Sequence, residues 1–326
     1  MELNRIKVWI LISICCVLLL MPAFAEPFYL TLFGRIMIFA IAALSLDLIL
    51  GFGGMISLGH AAYLGIGAYA VGILSFYGIN NAWLQLPLAI FGSAIVAFFI
   101  GVICLRTSGI YFIMITLAMT QLLYFLGISL ETYGGDDGLP IDRSIFVEGF
   151  DLGEEVNLYY LILGFLVVIS FFSWRLINSR FGMVIRGIQE NETRMQAIGF
   201  PTFRYKLLAF MIAGSICGLS GFLLANLTEF VTPEFMHWFR SGEIMIMGLV
   251  GGMGTLFGPI FGAAAYLLFE EIISGWTEHW MVIFGPLLVL LVLFAKKGIW
   301  GVLPDKNLGG FSRLNFCLGG FGRLNF

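Results

Sequence analysis

The sequence predicts an all-α, polytopic integral membrane helix bundle of about 8–10 spans, some of them broken by glycine or re-entrant. Three observations predict it. The 326 residues are 60 % hydrophobic and 11 % charged, against about 25 % charged in soluble domains, and mean hydropathy is +0.98. Apolar runs of about 20 residues, enough to cross a bilayer as a helix, recur along the chain. Acidic and basic residues are sorted into different loops, the asymmetry that orients membrane proteins. Too few polar residues remain for a large soluble domain. A net charge of -3 gives no sign of nucleic-acid binding. Cys15, Cys16, Cys104, Cys217 and Cys317 show no CxxC or metal spacing, so no disulfide framework or metal site follows.

The elements follow in order. Arg5 and Lys7 precede an apolar run from Val8 to Leu20, and Ala23-Phe24-Ala25 has the small-x-small outline of a signal cleavage site. A retained first helix is the favoured reading of 8–25, with the N-terminus inside. Further spans are predicted at 31–50, 57–76, 86–105, 109–130, 158–178, 207–231 and 279–295. Alternation then puts loop 131–157 outside and loop 179–206 inside. The outer loop carries Glu131, Asp136, Asp137, Asp142, Glu148, Asp151, Glu154 and Glu155 against one Arg143. The inner loop carries five of the 17 Lys+Arg: Arg180, Arg186, Arg194, Arg204 and Lys206.

Residues 243–273 need a different path. The chain is outside at Thr232–Ser241, and Lys296-Lys297 belong inside, so this segment must leave and return to one side. Its 31 residues reach about 46 Å as helix, too short for two full spans. A re-entrant pair of half-helices fits, broken at Gly251-Gly252-Met253-Gly254-Thr255 and Gly258-Pro259. Irregular backbone at membrane depth survives where protein or a water-filled cavity satisfies it, and such breaks point to a translocation path. The competing reading is glycine-mediated packing. A second glycine-rich segment, GFGGMISLGHAAYLGIGAYA at 51–70, repeats the Gly-Gly-Met triplet at Gly53-Gly54-Met55.

The glycines of the two breaks and the polar residues inside the apolar stretches are the candidate pathway groups: Gly53, Gly54, Ser57, His60, Thr116, Gln121, Gly251, Gly252 and Gly254. His60 reads as a substrate contact or proton relay, or as a histidine bonded between helices. Gln121 lines a pathway or bonds a neighbour. Asp47 is the only acid inside a predicted span and reads as a helix-end group near the inner side.

Loop 179–206 also reads as a short amphipathic helix. Val184, Ile188, Met195 and Ile198 share one face, with Asn191 in the gap. Glu190 stands four residues from both Arg186 and Arg194 and can pair with either. Gly199 and Pro201 end the helix. A rigid helix at the inner face of a membrane protein passes force to a soluble partner, or it is a solvated loop.

Four blocks, GFGGMISLGHAAYLGIGAYA, TYGGDDGL, RFGMVIRGIQENETRMQAIGFPTFRYKLLAF and MIMGLVGGMGTLFGPIFGAA, resemble the permease subunits of bacterial ABC importers for branched-chain amino acids, most closely the LivM-type subunit. The resemblance covers roughly 30–300. It implies one transmembrane permease domain over 1–304 in the bacterial inner membrane, both termini cytoplasmic, and a flexible tail over 305–326, where LGGFSRLNF nearly repeats as LGGFGRLNF. It implies a second, different permease chain, two cytoplasmic ATPase subunits and a periplasmic binding protein. It makes the inner-loop helix the coupling element, with Gly182, Arg186, Glu190, Asn191, Glu192, Arg194, Ala197 and Gly199 facing the ATPase. The chain has no GxxxxGK[ST] phosphate loop, so ATP and Mg²⁺ are expected on the separate ATPase subunits, with no cofactor and no catalysis on this chain. The alternatives are urea, short amides or other amino acids as cargo, or an ion-coupled transporter working alone through Asp47.

Overall fold

The computed structural model describes residues 16–23, 26–147, 150–151 and 153–276, and isolated positions 13, 282, 285–286 and 298–299. Most of predicted spans 8–25 and 279–295, and the tail from 305, lie outside the described residues.

Ten α-helices are described: α1 (Pro27–Leu50), α2 (His60–Phe76), α3 (Ala82–Cys104), α4 (Ile110–Ser129), α5 (Glu155–Ile177), α6 (Arg180–Glu190), α7 (Glu192–Ala197), α8 (Thr202–Thr228), α9 (Trp238–Gly251) and α10 (Gly258–Ser274). Each predicted span within the described residues is present, its ends shifted by a few residues. Five helices, α1, α3, α4, α5 and α8, are long and apolar enough to cross a membrane. Sheet is confined to two small pairs. β1 (Leu139–Pro140) pairs antiparallel with β4 (Phe230–Val231), and β2 (Ile145–Val147) with β3 (Phe150–Asp151).

Burial sorts the helices. The most apolar stretch of α1 is 83 % buried and that of α8 72 %, against 28 % for α3 and 22 % for α4. Helix α8 is therefore central, packed on α1, α2 and α3. Phe91, Phe99, Tyr111, Phe125, Val168 and Phe171 stand exposed on α3, α4 and α5. So large an apolar surface is an aggregation hazard in water and a natural face toward lipid tails. The chain is a multi-pass membrane protein.

Small residues let α2 and α8 touch along their main chains. A Cβ on Gly67 would overlap the Gly218 carbonyl, and one on Gly221 would overlap the Leu64 carbonyl. Without a hydrophobic drive between helices in lipid, such close approach supplies the packing.

At the acidic-loop end, polar groups tie the helices together. Asn226 Oδ1 accepts from the Ser144 N–H at 2.8 Å, and Ser144 Oγ donates to Gln85 Oε1. Arg143, the loop's one described cation, pairs with Glu229 at 2.8 Å. Tyr159 donates to the Leu18 carbonyl at 3.0 Å, which places residues 16–23 against the start of α5.

The basic loop differs from its prediction. It holds two helices, not one. Asn191 is extended (φ −161, ψ 98) and its Oδ1 accepts from the Arg194 N–H at 2.9 Å, so it ends α6 and caps α7. Val184 and Ile188 are buried as expected, but the break turns Ile198 out to 65 % exposure. Glu190 pairs with neither arginine among the described residues. Arg186 instead donates to the Ile177 carbonyl at 2.8 Å, and the loop's ion pair is Lys206 with Glu192 at 2.5 Å.

Candidate functional site

The two glycine-rich breaks meet at the basic-loop end of the bundle. Helix α1 ends at Leu50 and α2 starts at His60; α9 ends at Gly251 and α10 starts at Gly258. The Gly254 N–H donates to Asp47 Oδ1 at 2.9 Å, linking the second break to the last turn of α1 across 207 residues. A Cβ on Gly51 would overlap both the Gly254 nitrogen and the Asp47 carboxylate. Gly54 (φ 66) and Gly252 (φ 112) hold left-handed conformations that favour glycine. Asp47 is buried, and its Oδ2 has no partner among the described residues. Gly298 also lies on this junction, so close that a Cβ there would overlap Gly252.

Helix α6 closes the junction from the basic loop. Gln189 Nε2 donates to the Gly51 carbonyl at 3.0 Å, and its Cγ lies 2.9 Å from where a Gly54 Cβ would stand. One side chain thus touches the first break, which is bonded to the second. Gln189 was absent from the predicted contacts. Its signal was its place next to Ile188, at the edge of the buried face of α6.

The first break then climbs back into the bundle as irregular chain, and its polar groups are met by protein, as membrane depth requires. The Leu58 N–H donates to Thr116 Oγ1 at 3.3 Å, and Thr120 Oγ1 shares its hydrogen between Thr116 O at 2.9 Å and Leu58 O at 3.3 Å. Ser57 Oγ accepts from the Gly59 N–H at 3.1 Å. Ser241 on α9 accepts from the Ala61 N–H at 2.9 Å. His60 Nε2 meets Ser45 Oγ at 2.9 Å, and its buried Nδ1 has no partner among the described residues. The histidine is therefore bonded between α1 and α2. The first turn of α2 is held from α1, α4 and α9 together. Thr116→Val should leave the Leu58 amide unpaired, which costs on the order of 1–2 kcal/mol. Hydrogen exchange at Leu58 is then expected to speed roughly tenfold, read by mass spectrometry; an unchanged rate would show the threonine bond to be dispensable.

The other predicted pathway groups divide. Gly53 sits in the first break, packed toward Ile49 O and Met55 Cε. Gly251 packs on Gly258, where a Cβ would overlap the Gly258 carbonyl. Gln121 stands apart, half-buried on α4 with Oε1 unpartnered among the described residues. Outside the predicted spans, Glu243 and Glu270 also lie within helices, α9 and α10. Thr120, with Thr116 and Gln121, stands out in the sequence as a polar interruption of span 109–130, and it helps hold the break. Sequence reasoning missed Ser45 and Ser241 in that role. A serine inside a helix usually bonds its own backbone, so nothing marked them.

Of the predicted coupling residues, Glu190, Asn191, Arg194, Ala197 and Gly199 are exposed, Arg186 and Glu192 half-buried, and Gly182 buried in the tight turn after α5. Ser179 caps α6 by accepting from the Gly182 N–H at 3.4 Å. Between α6, α7 and the start of α8 lies a cleft of about 460 Å³, lined by Arg180, Met183, Val184, Met195, Phe200 and Tyr205. Its walls are mostly apolar, and Arg180 is the cation that lines it.

The family described as "Branched-chain amino acid transport system / permease component" matches residues 28–293. The permease protein LivM of Salmonella typhimurium, of a high-affinity branched-chain amino acid transport system, is 29 % identical over 287 residues, 81 % of this chain and 68 % of the relative. A probable LivM from Methanocaldococcus jannaschii is 25 % identical over 82 % of this chain and 91 % of its own length. The L-arabinose ABC transporter permease AraH of Azospirillum brasilense is 26 % identical over 56 % of this chain and 55 % of its own length. No solved structure matches the chain. The match spans both broken segments and the basic loop between them, and the chain belongs to the permease components of branched-chain amino acid transport systems.

Proposed function

We propose that this chain is the membrane-spanning half-channel of an ATP-driven importer for branched-chain amino acids, working by alternating access. The observation that carries the reading is the Gln189 bridge. A short helix in the basic loop is bonded to one broken helix, which is bonded to the other. A push on α6 reaches both breaks through two hydrogen bonds and a glycine contact. ATP and Mg²⁺ belong to two separate cytoplasmic ATPase subunits, which receive α6, α7 and the apolar cleft. A second permease chain completes the pathway, and a periplasmic binding protein delivers cargo at the acidic loop. The basic loop marks the cytoplasmic side of a bacterial inner membrane, with both termini cytoplasmic. The chain moves solute and catalyses no reaction.

The test is uptake of labelled leucine into liposomes holding the permease pair, the ATPase subunits and the binding protein. Uptake should require ATP and all the subunits, and leucine, isoleucine and valine should compete where urea, short amides and arabinose do not. Competition by arabinose instead would follow the AraH relative and move the cargo class.

The ion-coupled reading rests on Asp47, and a pair of variants separates it. Asn can still accept from the Gly254 N–H, so Asp47→Asn should keep most ATP-driven uptake, while Asp47→Ala should lower it roughly tenfold. Equal loss in both, with uptake following an ion gradient in the wild type, would overturn the importer reading.

A further inference from the structure

Four charges gather at the acidic-loop end, opposite the glycine junction. Arg35 lies eight residues into α1, roughly 12 Å along the helix. Arg240 and Glu243 lie in the first turns of α9, and Glu270 in the last turns of α10. They form two ion pairs, Arg35–Glu270 at 3.4 Å and Arg240–Glu243 at 2.9 Å. The pairs are within each other's field. Glu270 feels Arg35, Glu243, Arg240 and the adjacent Glu271, Arg240 also feels Glu234, and Tyr266, one turn before Glu270, feels all four members of the two pairs. Arg35 also stands over the Phe39 ring at 5.9 Å.

Charges at such depth are expensive, and they face a bundle interior or watery cavity rather than lipid. Glu243 is buried, but the two cations are not sealed. The Arg35 and Arg240 side chains keep 35 % and 29 % of their surface exposed. Each pair thus keeps a partly solvated guanidinium with donors to spare, and neighbouring pairs of opposite sign can exchange partners with a visitor. The visitor must carry both signs close together. The backbone repeats the pattern: α9 turns the positive end of its dipole to this level and α10 its negative end. A carboxylate is favoured by Arg240 beside the start of α9, and an ammonium by Glu270 beside the end of α10.

We propose that Arg35, Arg240, Glu243 and Glu270 form a docking station for the α-carboxylate and α-ammonium of a zwitterionic amino acid on its way to the glycine junction. The station rests on the importer reading for its cargo. It recognises the backbone of an amino acid and leaves side-chain choice elsewhere, which suits a component that passes several related solutes. The buried Phe39 ring lies under Arg35.

The probe is a leucine analogue with a diazirine on its side chain, photolysed on the assembled complex and mapped by mass spectrometry. Labels are expected within 35–39, 238–243 or 266–270. Excess leucine should suppress them about tenfold, whereas isocaproate, which lacks the ammonium, and isoamylamine, which lacks the carboxylate, should not. Glu270→Gln and Arg240→Gln should each lose the label. The exchanged pair Arg35→Glu/Glu270→Arg keeps an ion pair and should fail to restore it. Labels elsewhere, equal competition by isocaproate, or recovery in the exchanged pair would overturn the station. Labelling needs no ATP, so it decides the station by itself. A wild-type complex that fails to accumulate leucine would refute the importer reading separately.

Discussion

Gly221→Val is expected to prevent accumulation of the folded chain. The valine would drive its Cβ into the Leu64 carbonyl, and the backbone of α2 has no rotamer by which to yield. Gly67 presses on Gly218 one turn along the same contact, so the helices cannot separate at one point without losing the other. Overpacking a well-filled core costs about 1–3 kcal/mol; with main chain on both sides and α8 at the centre of the bundle, we expect about 3 kcal/mol or more. Gly164→Ala is the control, since nothing lies within 4 Å of a Cβ there. It replaces a mid-helix glycine with a better helix former and should be neutral or stabilising by up to about 1 kcal/mol. Yield and thermal midpoint in detergent give the comparison. Similar behaviour of the two variants would mean that the α2–α8 approach does not hold the fold.

The second large effect is expected at Gln189. Gln189→Leu keeps the volume and removes the donor to Gly51 O. One backbone hydrogen bond contributes about 1 kcal/mol net. Lost along with the contact on Gly54, it should reduce coupling roughly tenfold. In the reconstituted complex, leucine uptake should fall by that factor while the partner subunits keep their basal hydrolysis. Substrate-stimulated hydrolysis should shrink with uptake. Glu190→Ala tests the surface beside it, because Glu190 is exposed and touches neither break. If Gln189→Leu couples as well as wild type, the link from α6 to the breaks lies elsewhere.

Much of this was legible in the sequence. Apolar runs gave the spans, because a bilayer demands a fixed length of helix. The Gly-Gly-Met triplets gave both breaks, and the length of 243–273 gave a pair of half-helices rather than two spans. The meeting of the breaks was not legible. Gly51 and Gly254 touch through main chain, so no side-chain pattern announces a contact between segments so far apart in sequence. Asn191 was visible and misread. The apolar spacing from Val184 to Met195 carried the helix across it, yet asparagine followed by glutamate is also a helix start, and the local bond to Arg194 N–H won. The pairing of Glu190 failed for a related reason, since Arg186 finds carbonyls at the end of α5 that the loop sequence does not contain. The pairing of the charges of α9 and α10 was not legible either, because only the folded pair shows that Glu243 is buried.

The glycine junction sets how much slack the machine has. Where side chains separate two helices, a displacement is partly absorbed as rotamers re-sort, and the contact behaves as a soft spring. At Gly51 and Gly254 the two main chains meet and the one side chain at the joint, Asp47, is buried and bonded to the Gly254 N–H, so the joint is stiff and a small stroke at one segment arrives almost undiminished at the other. Such stiffness leaves these positions nearly no mutational tolerance, because a single methyl group on Gly51 would have to displace the opposing backbone. Exposed residues of α6 and α7 are free to drift with whichever partner they meet, while the joint they drive is restricted to the smallest residue.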